Sequence, residues 1–379
     1  MVKKNLVGNL LLGAALLLGA CSDNGSSANS DESSENVSIA ESVAPSFLKK
    51  GDKIALLSPS YRTDSENVEK TAQILEGWGF KTVIGEYVDS LDAGKYAGTP
   101  EQRAEDFIRA LRDTSVKAIL CNRGGYGTIQ LVDLIDTALI RKNPKWLIGF
   151  SDITTLHAME TKAHVMSIHG TMSSFIAQTE GSDSSSILLR ELLKGNVPQY
   201  TVSAHSYNQK GKAEGVLVGG NMATFVPLVG SSVDVFSEDG IVLFLEEVGE
   251  SLHNIDRMFN SLELQGVMKN VKGVVVGEFV DSGDDLDYES TEAMLSEYLK
   301  QYDIPVMYGF PAGHGDDNYP IVMGAKVTLE VSEDEATLAF NLDAKEIPVY
   351  FDWQKTLDAS AVLPLDLRKM LSGKIFDFE

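Results

Sequence analysis

Between Lys53 and Ile168, short apolar runs alternate with helix-like stretches, and no other feature of the sequence limits the possible folds as strongly. The runs Lys53–Leu57, Thr82–Ile84, Val116–Cys121, Trp146–Gly149 and Val165–Ile168 have the length and composition of strands. The best marked helix between them begins after Thr99, a capping residue followed by Pro100 at the first helical position and Gln102 where a capping-box partner belongs. In its body, Glu101–Leu111, the residues Ala104, Phe107, Ile108 and Leu111 recur at helical spacing and define one buried face. Strand and helix in alternation predict a parallel sheet covered on both sides, with ligands bound beyond the carboxyl ends of its strands.

The polar stretches Gln178–Ser186 and Val202–Lys212, with the helix-like piece Ile187–Leu193 between them, read as a passage between two domains. This divides the chain into an α/β domain over 46–180, a connection over 181–212 and a second domain over 213–345. The second domain mixes strands (Val216–Val218, Ile241–Glu246, Val271–Gly277, Lys326–Val331, Ala336–Phe340) with helices near Met222–Leu228, Leu252–Leu264 and Thr291–Tyr302. Roughly 330 residues beyond Pro45 are enough for two cores.

Ahead of the folded region, Lys3 and Lys4 precede the apolar stretch Leu10–Leu18, which ends in Leu18-Gly19-Ala20-Cys21. This is the pattern of an export signal over 1–20 closed by a lipobox, and the stretch is shorter than the ~20 residues that span a bilayer. Lipid on Cys21 is therefore expected to hold the protein at a membrane surface in the cell envelope. The Ser-, Asn-, Asp- and Glu-rich residues of 21–45 read as a solvated tether. The net charge of −23 excludes nucleic acid as a partner, since phosphate binding requires a basic face. With Cys21 lipidated, only Cys121 remains, which rules out an internal disulfide and reads as a small buried strand residue.

Two strand-to-helix turns carry candidate chemistry. Trp146-Leu147-Ile148-Gly149-Phe150-Ser151-Asp152-Ile153 runs from a strand into a helical pattern and sets Ser151 where a nucleophile elbow belongs, with the Asp152 amide directed at a developing oxyanion. Taken alone, an ordinary helix cap explains Ser151 better. Cys121-Asn122-Arg123-Gly124-Gly125-Tyr126-Gly127 lacks the lysine of a phosphate loop and the spacing of a dinucleotide fingerprint, so an oxyanion donor from Gly125 or Gly124 is the favoured reading. Of the six histidines, only His314 lies in a glycine-rich loop. Strand alternation puts Glu246 and Glu247 on opposite faces without choosing between them. The acidic loop 281–287 carries Leu286 where a calcium loop needs glycine and reads as solvated. Arg257 fits either a substrate carboxylate or a structural pair with Asp256.

Several of these segments occur in the order found in one family. Gly51-Asp52-Lys53-Ile54 with Pro59-Ser60, Ala97-Gly98-Thr99, Arg123-Gly124-Gly125-Tyr126-Gly127 and Gly149-Phe150-Ser151-Asp152-Ile153-Thr154 resemble the LD-carboxypeptidases. So do Gly219-Gly220-Asn221, Leu243-Phe244-Leu245-Glu246 with Ile255-Asp256-Arg257, and Gly313-His314 with Asn318. The resemblance implies a flavodoxin- or amidotransferase-like α/β domain, a smaller β-rich α+β domain and a homodimer. It also implies cleavage of the L-D bond to the terminal D-alanine of murein tetrapeptides, with no metal or cofactor. Carried over, the catalytic residues are Ser151, Glu246 and His314, the oxyanion donors Asp152 with Gly124 or Gly125, and the substrate-binding residues Arg123 and Tyr126. The sequence departs from the family in its export signal, in Glu247 where aspartate is usual, and in His169-Gly170-Thr171 where His-Gly-Pro is usual. Residues 346–379, with Trp353 and Val362-Leu363-Pro364-Leu365, have no counterpart. Two rival readings are a microcin C self-immunity-like hydrolase of aminoacyl nucleotides and a surface lipoprotein that binds muropeptides without cleaving them. The first relies on a stacking tryptophan near the domain connection, and none occurs between Trp146 and Trp353.

Overall fold

The chain is described by a computed structural model over residues 42–352 apart from Asp284, so the stretch expected to be an export signal, Cys21 and Trp353 onward lie outside the described residues. The alternating first half builds a six-stranded sheet in the order Ile321–Met323, Ser167–His169, Trp146–Gly149, Val116–Cys121, Lys53–Leu57, Lys81–Ile84. The last five strands are parallel to one another. Trp146, Leu147 and Ile148 are fully buried, as a central strand covered on both faces requires. The sixth strand, Ile321–Met323, comes from far along the chain and pairs antiparallel with Ser167–His169. At three residues, it is too short to produce a readable alternation.

The helix Pro100–Arg112 starts with the expected reciprocal cap: Thr99 Oγ1 accepts from the Gln102 amide at 3.3 Å, and Gln102 Oε1 accepts from the Thr99 amide at 2.9 Å. Its buried face holds Ala104, Phe107, Ala110 and Leu111, and also Arg103. The Arg103 guanidinium donates to the Pro59 carbonyl at 2.8 Å and the Gly127 carbonyl at 2.9 Å, tying together two loops at the carboxyl ends of the strands.

The second sheet has eight strands in the order Val306–Met307, Val271–Val280, Ile241–Val248, Gly211–Asn221, Lys326–Val331, Glu335–Phe340, Asn196–Ser203, Lys345–Phe351. The first four are parallel, the next three antiparallel to their neighbours, and the edge strand runs parallel to Asn196–Ser203. The stretch read from sequence as a connection is thus largely built into the fold, as helix Ser184–Leu193 and strand Asn196–Ser203. In that strand Gln199, Thr201 and Ser203 are partly exposed while Tyr200 and Val202 are buried. The same alternation explains Lys345–Phe351: Ile347, Val349 and Phe351 are buried and their neighbours are exposed.

Gly220 joins the second sheet to the Thr154–Lys162 helix where the site forms, and Gly219 beside it packs on Phe244 of the neighbouring strand in its own sheet. Both have left-handed φ, +127° at Gly219 and +125° at Gly220, and a Cβ on Gly219 would lie 2.0 Å from the Phe244 carbonyl oxygen. A Cβ on Gly220 would lie 2.6 Å from Thr154 Oγ1, on the helix that follows Ser151. The Asn221 amide donates to the same Thr154 hydroxyl at 3.2 Å. No side chain fits this contact, so the strand leading to Asn221 packs directly on the Thr154–Lys162 helix.

Candidate active site

The strand Trp146–Gly149 ends in Phe150, which is extended, and the backbone then turns sharply at Ser151, φ +64°. A non-glycine residue in this region is strained, and the strain projects the hydroxyl off the end of the strand ahead of the turn Ser151–Ile153. The glycine-rich loop packs against it. A Cβ on Gly124 would stand 2.9 Å from Ser151 Cβ, 3.0 Å from its Oγ and 3.5 Å from the Asp152 nitrogen, so the loop backbone approaches the serine only because this residue is glycine. The Asp152 side chain is buried and fixes this arrangement, accepting from the Ser60 hydroxyl and from the Thr128 amide at 3.0 Å. Thr128 Oγ1 in turn donates to the Asp152 carbonyl at 2.5 Å. Burial raises the Asp152 pKa, although the Ser60 and Thr128 hydrogen bonds and the Arg103 charge oppose the shift.

The opposite wall comes from the second sheet. Glu246, wholly buried on Ile241–Val248, has Oε2 2.7 Å from His314 Nδ1, while Oε1 has no partner among the described residues. A carboxylate only accepts, so Nδ1 carries the proton and Nε2 is left as the acceptor. Glu247 turns the other way. It accepts from Asn221 Nδ2 at 2.7 Å, the Ala223 amide at 2.7 Å and the Val248 amide at 2.9 Å, which makes it a brace between strand and helix. The choice that alternation left open is thereby resolved as geometry: Glu246 is the carboxylate facing the imidazole.

The His314 loop is held on both sides. The Gly313 amide donates to Asn318 Oδ1 at 3.2 Å and the Gly315 amide to Glu278 Oε2 at 2.8 Å. The Glu278 amide donates to the Ala312 carbonyl at 3.0 Å. The imidazole packs on Phe150, ring centroids 4.8 Å apart. Burial by itself lowers the His314 pKa, but the hydrogen bond and charge of Glu246, with the charges of Glu247 and Glu278, raise it above its ordinary value. Glu278 is pushed up to about 7, chiefly by burial, with Asp317, Asp316 and Glu246 adding repulsion against the Gly315 hydrogen bond. Sequence reasoning missed this residue, whose only signal is its place at the exit of the predicted strand Val271–Gly277.

Ser151 and His314 line one cleft of about 620 Å³ together with Tyr61, Arg123, Gly124 and Phe175. Gly125 also lines it, with the Tyr61 ring filling the space where a side chain would stand. Tyr126 is half exposed beside Tyr96, ring centroids 6.4 Å apart, and does not line the cleft. Arg257 lies on the exposed side of helix Leu252–Leu264, donating to Asn254 Oδ1 at 2.9 Å, also away from the cleft. Cys121 is fully buried. In the acidic loop Asp285 pairs with His253, and among the described residues no group of three or more His, Cys, Asp or Glu side chains is placed to hold a metal ion. His169, in the segment that departs from the family pattern, is buried between the rings of Phe150 and Phe244.

Residues 54–170 match the LD-carboxypeptidase N-terminal domain family and residues 214–329 the LD-carboxypeptidase C-terminal domain family. A probable murein peptide carboxypeptidase of Bacillus subtilis is 31% identical over 78% of this chain and 93% of its own length. A murein tetrapeptide carboxypeptidase of Pseudomonas aeruginosa is 29% identical over 73% of this chain and 93% of its own. Among solved structures, a muramoyltetrapeptide carboxypeptidase from Oxalobacter formigenes superposes with a TM-score of 0.69 at 26% identity, covering 76% of this chain and 97% of that one. An MccF-like protein from Bacillus anthracis gives 0.69 at 27% identity over 79% and 100%.

The electrostatics of the imidazole can be measured directly. NMR titration of His314 is expected to give a midpoint above the ordinary 6.5 in the native protein. The midpoint falls in Glu246→Gln and falls by less in Glu278→Gln. An unmoved midpoint in Glu246→Gln contradicts the pairing.

Proposed function

Because the chain belongs to the LD-carboxypeptidase family and is a serine-type peptidase of that kind, we propose that it hydrolyses the L-D bond to the terminal D-alanine of murein tetrapeptides through a Ser151–His314–Glu246 triad. The observation that carries this reading is the buried Glu246 fixing His314 Nδ1 at 2.7 Å, in the same cleft as a serine held on a left-handed turn. The substrate class is supported by the names of the relatives in Bacillus subtilis and Pseudomonas aeruginosa.

In the first half-reaction His314 Nε2 takes the Ser151 proton as Oγ attacks the carbonyl carbon of the third residue. The negative charge that develops on the carbonyl oxygen is met by the amides of Asp152 and of Gly124 or Gly125, each donor contributing about 10²–10³ in rate. The tetrahedral intermediate collapses as the imidazolium gives its proton to the departing amine, releasing D-alanine and leaving the tripeptide esterified to Ser151. A water molecule, deprotonated by the same imidazole, then attacks the ester, and the proton returns to Ser151. Glu246 keeps Nε2 as the basic nitrogen and stabilises the imidazolium in both halves. The imidazole must be neutral to begin. With its pKa raised, kcat/KM falls as pH drops through that value and is retained above it.

The aminoacyl-nucleotide reading gains less support, since the second half offers no indole for stacking before Trp353. The place of action belongs to the same proposal: export and lipidation at Cys21 put the enzyme on the envelope side of a membrane, where muropeptides are exposed. Metabolic labelling with an alkyne fatty acid is expected to mark the full-length chain and to fail on Cys21→Ala, and a chain that stays unlabelled contradicts the anchor. For the reaction, mass spectrometry of a muropeptide ending in D-alanine is expected to detect free D-alanine with the native protein. Ser151→Ala is expected to release it at least about 10³-fold more slowly. No release by the native protein, or equal release by the variant, contradicts the assignment.

A further inference from the structure

The strand Val271–Val280 is irregular at the point where it passes the site. Leu245 pairs with Val276, but the next pairing is Glu247 with Phe279, so Gly277 and Glu278 together stand opposite Glu246. The extra residue reverses the alternation beyond it. Val274 and Val276 pack in the same core cluster as Leu243 and Leu245, and Phe279 packs there too. This turns Glu278 to the other face, that of Val275 and Phe244, which alternation also gives to Glu246. In a regular strand Glu278 would point with Val276, away from Glu246. Gly277 makes room for the bulge: a Cβ there would lie 2.4 Å from the Ala312 carbonyl oxygen and 2.8 Å from the Phe244 ring.

On that face the Glu278 carboxylate lies against the loop that carries the imidazole. A Cβ on Gly315 would fall 2.1 Å from Glu278 Oε2 and 2.4 Å from its carboxyl carbon, so the carboxylate can accept the Gly315 amide at 2.8 Å only because that residue is glycine. On the other flank the Gly313 amide goes to Asn318 Oδ1, and a Cβ on Gly313, φ +139°, would meet the Glu278 carbonyl oxygen at 3.2 Å. His314 is thus set between two glycines whose own backbone preferences fix little. Its orientation depends on what the two amides are bonded to, on one side a neutral carboxamide and on the other an ionisable carboxylate. Glu278 does not line the cleft. It acts from behind, through the loop and through its charge on the imidazole.

The geometry points to Glu278 as a positioning residue that clamps the Gly313–Gly315 loop and so sets where His314 Nε2 stands relative to Ser151. Ionised, it accepts the Gly315 amide in a charge-assisted hydrogen bond and adds a second anion to Glu246 behind a ring that must become an imidazolium. Protonated, it keeps an oxygen for the amide but loses the charge. Four groups bear on this ionisation. Glu246 on the neighbouring strand and Asp316 and Asp317 in the loop repel the carboxylate, while His314 is made more basic by it. Burial and these acids push Glu278 up to about 7, so its charge is present above that pH and is lost below it. The acid limb of the rate therefore belongs to carboxylate and imidazole as a coupled pair. The kinetic consequence rests on the proposed triad, while the clamp itself can be read without turnover.

Two substitutions separate the clamp from the charge. Glu278→Gln keeps an oxygen that accepts from Gly315, whereas Glu278→Ala removes both. In Glu278→Ala, kcat for release of D-alanine is expected to fall on the order of 10–100-fold with KM little changed. Glu278→Gln is expected to recover the larger part of that loss on the alkaline plateau and to move the acid limb of kcat/KM to lower pH, because the imidazole loses one anion. Glutamine is isosteric with the native side chain, so its pH profile remains decisive even where the alanine variant proves unstable. In amide NMR of the native protein, the Gly315 resonance is expected to titrate with Glu278 at about 7, and Glu278→Gln is expected to remove that step. The inference is overturned if Glu278→Ala keeps the native kcat, if only KM changes, if glutamine is as slow as alanine on the plateau, or if the Gly315 amide does not follow Glu278. A native protein that releases no D-alanine contradicts the peptidase reading instead, and the Gly315 titration then still decides the clamp.

Discussion

The hydrogen bond between Glu246 and His314 is the interaction around which the rest of the site is arranged. Glu246 belongs to the eight-stranded sheet, Ser151 to a turn off the six-stranded one, and His314 to the loop that leads into Ile321–Met323, the strand that closes the edge of the first sheet. Bringing the three together therefore depends on both sheets being packed in one register. The glycines mark where that register is enforced. Gly220 lets the second sheet approach the Thr154 helix, Gly124 lets its loop approach Ser151, and Gly313 approaches Glu246, where a Cβ would stand 3.2 Å from the carboxylate.

The charges behind the His314 loop are acidic. Glu246, Glu247 and Glu278 hold the His314 imidazole more basic than burial alone allows, and Asp316 and Asp317 act on Glu278. Asp317 itself is pushed up to about 6 by burial and by Asp183 and Asp316. In the cleft itself, Lys95 and Arg123 each stand against the Tyr61 ring.

The sequence was legible where a local rule acts alone. Strands Lys53–Leu57, Val116–Cys121, Trp146–Gly149 and Lys326–Val331 fall where apolar runs predict them, and the cap at Thr99 is formed as the residues specify. It was less legible where the decisive contact is made by distant chain. Asn196–Ser203 falls within the stretch read as a passage between domains although its residues alternate between buried and partly exposed, and Ile321–Met323 is a strand only through its partner Ser167–His169. Within the site, Ser151 is marked by its strand-to-helix turn, whereas the choice between Glu246 and Glu247 needs the position of His314. Tyr126, drawn in by its loop, sits outside the cleft, while Tyr61, from a neighbouring motif, lines it. Glu278 acquires meaning only from neighbours that the fold supplies.

The central claim is that Ser151 is a nucleophile activated by His314. It is tested most directly by active-site phosphonylation, measured as the rate at which a fluorophosphonate adds to the intact protein with the modified residue located by peptide mass spectrometry. The account predicts one adduct, on Ser151, forming at least about 10²-fold more slowly in His314→Ala. Labelling at another residue, or at Ser151 with a rate indifferent to His314, would contradict it.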